Sequence, residues 1–214
     1  MLLKWIHCTV PARSREAFSH AQTRWSALRG VAGFRGQVGG WSAADPATAC
    51  ILGLWRDRET YASFMREVHD RVAEGSGQDR TYESISVVLC ESLLEMPGLK
   101  PRIDEAVASA GFLRTADCRV RPGRSAPFLE TQRSVWVPGM KAAGGMLAGS
   151  FAAVDGSDRR YLVATLWADE AAHARYVRRD LEALRARAAV EADVDQIAGT
   201  FVELEPGWTV GAVD

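Results

Sequence analysis

A strand–turn–helix motif that occurs twice constrains the fold of this chain most strongly. In the first copy an apolar run (residues 49–54) ends at Trp55, and Asp57 stands at the N-cap position before apolar residues recur with helical spacing. The second copy repeats this order from Trp167 to Asp169. Other pairs lie at a similar separation along the chain, namely Phe18 with Phe128, Gln22 with Gln132 and Trp25 with Trp136. Such pairs are typical of a duplication, and the sequence predicts two copies of one domain.

Length and composition agree with two small soluble domains. The 214 residues allow two units of about 100 residues each, and 47% hydrophobic residues are enough for two cores. The net charge is −1 and the arginines are scattered among acids, so nothing in the sequence suggests affinity for nucleic acid or membranes. No window is long enough to span a bilayer, and the first residues resemble a strand rather than a signal peptide. We therefore expect a cytoplasmic protein with no nucleic-acid or membrane partner.

The order of predicted elements indicates the fold class. In the first copy the hydrophobic periods predict strands over 2–10, 34–41, 48–55 and 82–93, and helices over 14–28 and 58–73. In the second copy they predict strands over 113–120, 142–154, 160–167 and 197–204, and helices over 125–135 and 170–192. The order β-α-β-β-α-β is that of a ferredoxin-like fold in the α+β class. The predicted divisions are a first repeat (1–97), a helical connector (98–111) and a second, diverged repeat (112–214).

Each sheet would carry helices on one face and leave the other face bare. Such a face needs a cover, and the sister repeat is the obvious one. We therefore expect the two antiparallel sheets to pack into an intramolecular α/β barrel, with a cavity for a small ligand between them. The chain would then be a monomer with an internal pseudo-dimer, able to form a further homodimer. The four cysteines (Cys8, Cys50, Cys90, Cys118) lack metal-ligand spacing and are expected to be buried thiols.

The repeat and its Trp-x-Asp-x-Glu pattern resemble the dimeric α/β-barrel superfamily, and within it the antibiotic-biosynthesis-monooxygenase-like domains. The segments 36–41 (Gly-Gln-Val-Gly-Gly-Trp) and 68–71 (Val-His-Asp-Arg) further resemble a bacterial family of that superfamily. The resemblance implies relatives that include cofactor-free oxygenases of aromatic polyketides, haem-degrading oxygenases and lactone isomerases. A shared fold does not choose among these activities.

His69 is the strongest candidate for a catalytic or cofactor-binding residue. It falls at the edge of the apolar stripe of its helix, where a histidine could move a proton or bind haem iron. The alternative is a half-buried histidine hydrogen-bonded to Asp70, Tyr82 or the backbone. In the haem-degrading relatives the resemblance implies a longer histidine spacing and an asparagine on the first strand, where this chain has His7. We therefore expect no cofactor, with haem binding as the alternative.

Trp5 and His7 alternate with Ile6 and Cys8, so they share the other face of the first strand. If Ile6 and Cys8 pack under the helices, Trp5 and His7 point into the space between the sheets. There they would form an aromatic-binding pair, or they would serve only to pack one sheet on the other.

Gln37 lies among glycines on the second strand and is predicted to project into the same inter-sheet space, with Trp41 on the same face. The alternative is that the glycines only allow a bend or bulge. Gln22 and Gln132, in contrast, occur in both repeats, which favours a structural role in satisfying a buried backbone group.

These residues suggest a monooxygenase-like protein that binds a small aromatic or enolic metabolite in the inter-sheet cavity. Deprotonation of a phenol or enol would allow oxygen to react with the anion without a cofactor. The alternatives are a non-catalytic binding protein for haem or a hydrophobic ligand, and a purely structural protein. The predicted bases are His69 and His7, and the predicted substrate-binding residues are Trp5, Gln37, Trp41 and Tyr82.

Overall fold

The computed structural model describes residues 1–212, which form two compact units. The first unit comprises residues 1–89 together with the described residues from Val202 onward, and the second unit comprises Cys90–Phe201. The predicted repeat bounds (1–97, 98–111 and 112–214) follow the sequence repeat and stay a prediction.

The strands match the predicted order. Within residues 1–212 they are β1 (Leu2–Thr9), β2 (Phe34–Ser42), β3 (Thr48–Trp55), β4 (Ser84–Pro97), β5 (Phe112–Val120), β6 (Met146–Val154), β7 (Arg160–Trp167), β8 (Val194–Leu204) and β9 (Val210–Gly211).

The helices of the first unit are α1 (Arg15–Thr23), α2 (Arg58–Glu67) and α3 (His69–Ser76). Those of the second unit are α4 (Ile103–Ala106), α5 (Ser125–Thr131), α6 (Val137–Ala142), α7 (Glu170–Tyr176), α8 (Glu182–Ala188) and α9 (Val190–Asp193). A 3-10 turn (Arg24–Leu28) extends α1. Among the described residues every helix is too short or too polar to cross a bilayer.

The sheet of the first unit is antiparallel. β3 pairs with β1 on one side and with β2 on the other, and β1 lies between β3 and β4. The order β4-β1-β3-β2 is that of a ferredoxin-like sheet. A bulge between Phe34 and Gly36, where Gly36 has a φ of 137°, opens β2. The bulge expected from the glycines of this strand is therefore present.

The second unit repeats the arrangement with β7 between β5 and β6. A bulge between Met146 and Ala148 stands where the first unit has its own bulge. The end of β4 adds to the free side of β6, from Cys90 opposite Val154 to Pro97 opposite Ala148. The α+β class and the ferredoxin-like order predicted from the sequence are confirmed.

The same cap begins the second helical segment of each unit. Asp57 accepts a hydrogen bond from the Thr60 N–H at 2.8 Å, and Asp169 accepts one from the Ala172 N–H at 2.6 Å. Each aspartate therefore satisfies one amide that the helix itself leaves unpaired. The N-cap predicted for Asp57 is confirmed.

The helices of the two units are interrupted in different ways. In the first unit the predicted helix over 58–73 is broken at Val68, whose φ of −125° is not helical, so that His69 starts a new helix. In the second unit two π-helical turns, Gln132–Trp136 and Val177–Leu181, join α5 to α6 and α7 to α8 without a break. Such turns widen the helix locally and often adjoin functional sites.

The helix-facing side of each sheet forms the core of its unit. In the first unit Trp55 stacks on Phe64 with ring centroids 4.6 Å apart, and in the second Trp167 lies 5.1 Å from Tyr176. All four cysteines are free and buried, as predicted. These two cores hold the paired tryptophans that the sequence repeat identified.

Candidate functional site

A cavity of about 70 Å³ lies between the sheet and the helices of the first unit, and we call it the first cavity. Strand residues form its floor and helix residues form its roof. The lining side chains include Lys4, Ile6, Cys8, Gln37, Ile51, Gly53 and Trp55 from the sheet, and Gln22, Trp25, Phe64, His69 and Gln78 from the helical segments.

The floor is organised around a row of three residues across the sheet. Lys4 pairs with Gly53, and Gly53 pairs with Gln37. Residues directly opposite each other in an antiparallel pair point to the same face, so Lys4 and Gln37 flank a position that has no side chain. An ideal Cβ on Gly53 would lie 3.8 Å from the Lys4 Cβ and 3.8 Å from the Trp55 Nε1. Gly53 therefore leaves a notch bordered by polar groups.

Lys4 brings a positive charge into this notch. Burial lowers the pKa of the Lys4 ammonium to about 8, an effect that Cys8 partly offsets. No carboxylate within residues 1–212 forms an ion pair with it, and its Nζ lies 5.4 Å from the centre of the Tyr61 ring. Burial raises the pKa of the neighbouring Cys8 thiol to about 12, so Cys8 stays protonated. The ammonium is the one charge on the floor of the cavity, among the residues that the structure describes.

A chain of hydrogen bonds fixes the polar part of the roof. The Trp25 Nε1 donates to the Gln78 Oε1 at 2.7 Å, and the Gln78 Nε2 donates to the Gln22 Oε1 at 2.6 Å. Gln22 and Gln78 are both buried. Gln22 therefore has a structural partner, but that partner is the Gln78 side chain and not the buried backbone group predicted from the sequence.

His69 completes the roof as the first residue of α3. Its Nδ1 lies 2.8 Å from the Asp70 Oδ1, and its ring lies 5.7 Å from that of Phe64 and 5.8 Å from that of Trp25. The His69 side chain is 24% exposed, whereas that of Asp70 is 85% exposed. His69 is therefore half-buried and hydrogen-bonded to Asp70, as the alternative of a structural histidine predicted. It also lines the first cavity.

The structure brings together only two of the six predicted site residues. Gln37 and His69 line the first cavity, and the Gln37 Nε2 donates to the Trp208 carbonyl at 3.3 Å. The prediction that Gln37 faces the same side as Trp5 and His7 is wrong. The register places Gln37 level with Lys4, which alternates with Trp5, so that Gln37 points under the helices.

The other four predicted residues lie outside this cavity. Trp41 shares the face of Gln37 as predicted, but it packs 5.7 Å from Phe18 and 5.3 Å from Trp208 between sheet and helix. Tyr82 meets the same Phe18 ring at 6.4 Å. Trp5 and His7 contact each other at 4.7 Å on the opposite face of β1. Their functional roles stay predictions.

Sequence reasoning missed Lys4, Gly53 and the Trp55 indole. One signal was available for Lys4, because it interrupts the apolar alternation Leu2, Ile6, Cys8 and Val10 on the helix-facing side of β1. A lysine on the helix-facing side of a strand is unusual and indicates a functional role. No comparable signal marks Gly53, because its role depends on neighbours from two other strands.

The cavity does not fit haem. Its volume of about 70 Å³ is small beside the roughly 300–1,000 Å³ of pockets that hold drug-sized ligands. The ring of His69 is wedged between Trp25 and Phe64, and its Nδ1 is held by Asp70. Within the described residues no group of three or more metal-ligating side chains could hold a metal ion.

Solved structures show which fold this chain has. A protein from Lactobacillus acidophilus NCFM assigned as a monooxygenase is similar over 98% of this chain and 95% of its own, with a TM-score of 0.74 and 10% identity. An anthrone oxidase-like protein is similar over 95% of this chain and 91% of its own, with a TM-score of 0.67 and 13% identity. The fold is therefore that of the monooxygenase-like ferredoxin-fold proteins.

Sequence similarity gives the family. Residues 2–90 match the family described as "Domain of unknown function (DUF4937)". The chain is also 41% identical over 93 residues to "Uncharacterized protein YdbC" from Bacillus subtilis (strain 168), which spans 42% of this chain and 78% of YdbC. The chain belongs to the DUF4937 family, and the matched segment is the part that contains the first cavity.

Proposed function

We propose that the first cavity binds a small, planar, weakly acidic metabolite, such as a phenol or an enol, and converts it to an anion that reacts with oxygen. The observation that carries the proposal is the notch at Gly53, which is bordered by hydrogen-bond donors and has no side chain of its own. The similar fold of proteins assigned as a monooxygenase and as anthrone oxidase-like supports the same reaction class.

Three donors surround the notch. The Lys4 ammonium and the Gln37 amide flank Gly53 on either side, and the Trp55 Nε1 lies 3.8 Å from the position of its missing Cβ. Within residues 1–212 the Trp55 Nε1–H donates to no side chain or carbonyl. Donors fixed around one point stabilise an oxygen anion that forms there, because they need no reorganisation when charge appears. The substrate oxygen would occupy this notch.

His69 is the proposed base. When the Nδ1–H donates to Asp70, the Nε2 carries the lone pair that can accept a proton. Trp25, Trp55 and Phe64 supply flat walls for an aromatic ring. His7 lies on the opposite face of β1 and has no place in this scheme.

The oxidation balances with O₂ as the only co-substrate. For a substrate with an activated methylene group, His69 takes one proton and the carbanion transfers an electron to O₂. The radical pair combines to form a carbon–oxygen bond, and the protonated hydroperoxide then loses water to leave a ketone. The methylene carbon supplies all four electrons that reduce O₂, and one oxygen atom leaves as water.

Oxygen uptake tests the proposal. Purified protein would be screened with single-ring phenols and with small aromatic ketones that carry an activated methylene, and O₂ consumption would be measured. We expect turnover that falls at least about 100-fold in Lys4→Met and in His69→Gln. The exposed His20 of α1 lies outside the cavity, so His20→Gln is the matched control and should leave turnover unchanged. Absence of uptake with every compound, or equal rates in all variants, would contradict the proposal.

A haemin titration tests the alternative that the protein binds haem. We expect no stoichiometric Soret shift, because the cavity is too small for a porphyrin. A shift in the wild type that disappears in His69→Ala would instead identify a haem protein with His69 as the axial ligand.

A further inference from the structure

The second unit contains its own cavity, which no part of the proposed function uses. It measures about 80 Å³ and lies between the sheet and the helical segments; we call it the second cavity. Its lining side chains are Arg114, Ala116, Cys118, Phe128, Gln132, Trp136, Met140, Val163, Leu181, Arg185, Val190 and Ile197. Most of the residues that line the second cavity are apolar, so its few polar residues indicate what kind of ligand it could bind.

Arg114 is a half-buried cation that lines the cavity and has no anionic partner within residues 1–212. It lies on β5 opposite Thr165, and its guanidinium forms no hydrogen bond or ion pair with any side chain within residues 1–212. The titratable groups that face it are Tyr176, Cys118, Arg185 and His173, and none of them is a carboxylate. A half-buried arginine without an anionic partner keeps its guanidinium donors available to an anionic ligand.

Two further donors nearby are unsatisfied. The Gln132 side chain is 3% exposed, lines the cavity and forms no hydrogen bond with any residue of the described part. The Tyr176 hydroxyl, which interacts electrostatically with Arg114, is buried and has no partner within residues 1–212. Buried polar groups in native proteins are nearly always bonded, so the buried and unpartnered Tyr176 hydroxyl, beside two donors that line the cavity, indicates an acceptor from outside the chain.

We propose that the second cavity binds a monocarboxylate with an apolar body, such as a small aromatic acid. The carboxylate accepts hydrogen bonds from the Arg114 guanidinium, with Gln132 and Tyr176 as further donors. The apolar body lies against Phe128, Trp136 and Met140.

The surroundings explain how such a ligand enters. An open groove of about 620 Å³ adjoins the cavity and shares Leu181, Arg185 and Val190 with it. Arg185 is exposed at this shared edge, and the groove is also lined by Glu182 and Glu191. The groove also leaves room for substituents that extend beyond the inner cavity.

Isothermal titration with benzoate tests the proposal, with benzamide as the uncharged probe of the same shape. We expect one benzoate per chain and an affinity for benzamide at least about tenfold lower, because a charge-assisted bond is lost. Arg114→Met should weaken benzoate binding at least about tenfold, and Gln132→Leu should weaken it several-fold. Arg187→Met, on the exposed side of α8, is the matched control and should change nothing.

Thermal unfolding keeps the test valid if a variant folds poorly. Without ligand, Arg114→Met should unfold at the same or a higher temperature than the wild type, because it removes an unpaired charge from an enclosed site. Benzoate should raise the unfolding temperature of the wild type and of Lys4→Met but not that of Arg114→Met.

Several results would overturn the proposal. One is the absence of benzoate binding at millimolar concentration, and another is equal affinity for benzoate and benzamide. A third is loss of binding in Lys4→Met with retention in Arg114→Met, which would place the anion in the first cavity.

Discussion

The two units place a cation at the same register position and then differ in what faces it. In the first unit the row across the sheet is Lys4, Gly53 and Gln37; in the second it is Arg114, Thr165 and Gly149. An ideal Cβ on Gly149 would lie 2.6 Å from the Ala164 carbonyl oxygen and 2.8 Å from the Thr165 Cγ2. The second unit therefore has a side chain on its central strand and none on the neighbouring strand, whereas the first unit has the reverse arrangement.

The presence or absence of a side chain on the central strand decides whether the indole of the nearby tryptophan can bond to a ligand. In the second unit the Trp167 Nε1 donates to the Thr165 Oγ1 at 3.0 Å, so the indole is satisfied from within. In the first unit Gly53 offers no such acceptor to Trp55. The comparison teaches that one missing side chain converts a packing tryptophan into a potential ligand donor.

Gly53→Thr would give the first unit the central residue of the second, and we expect the largest effect from it. The added side chain fills the notch and offers an acceptor to the Trp55 indole, so turnover should fall at least about 100-fold. Crowding beside Lys4 should also cost about 1–3 kcal/mol of stability. The double variant Gly53→Thr/Gln37→Gly should regain stability but not turnover, measured by urea unfolding and oxygen uptake. Full activity of the single variant would show that the notch is not the site.

Lys4→Met would test the cost of the enclosed ammonium. Burial lowers the Lys4 pKa from 10.5 to about 8, so between these pH values the unfolded chain binds more protons than the folded one. The stability of the wild type should therefore rise with pH across this interval, by up to about 3 kcal/mol. Lys4→Met should be the more stable protein at pH 7 and should lack this rise. Parallel pH profiles for the two proteins would mean that Lys4 is well solvated.

Trp167→Phe and Trp55→Phe would isolate the indole hydrogen bond. Both remove a similar volume from a buried site, but only Trp167→Phe breaks a bond to the buried Thr165 hydroxyl. We expect Trp167→Phe to lose about 1–2 kcal/mol more than Trp55→Phe in chemical unfolding. Equal losses would mean that the Trp55 indole also has a partner.

Asp57→Asn would have the smallest effect, confined to acid. Hydrogen bonds from Arg56 and from Thr60 lower the Asp57 pKa to about 2. Because the unfolded value is about 3.9, the stabilisation is present above pH 4 and is lost as the pH falls toward 2. An asparagine at this position caps the helix without titrating, so the acid unfolding curve of the variant should be flatter than that of the wild type in this range. Asp169→Asn, at the equivalent cap, provides the comparison.

Local signals predict most of the fold. The alternation of β1, the Trp55–Asp57 turn and the bounds of β3 and β7 depend on neighbouring residues, and the structure has them where the sequence predicts. The break at Val68 is not visible in the sequence, because Val68 is an ordinary member of the apolar stripe. The long helical pattern over 170–192 does contain a break, at Ala189, whose φ is 45°.

The site is harder to predict because it depends on register. His69 can be found from its place on a helix stripe, and Gln37 from its isolation among glycines. The predicted face of Gln37 is wrong, since the alternation of one strand does not reveal how it aligns with the next. The notch requires Lys4, Gly53 and Trp55 together, and only the paired strands bring them into one place.

The π-helical turn at Gln132–Trp136 has a consequence for how such chains can change in length. Gln22 and Trp25 are three positions apart, whereas their counterparts Gln132 and Trp136 are four apart, yet both pairs line the cavity of their unit. The wider turn takes up the additional residue, so the side chains on either side of it keep their direction. A single inserted codon can therefore enter this helix without rotating the remainder away from the cavity, so the second unit can differ in length from the first while its cavity persists.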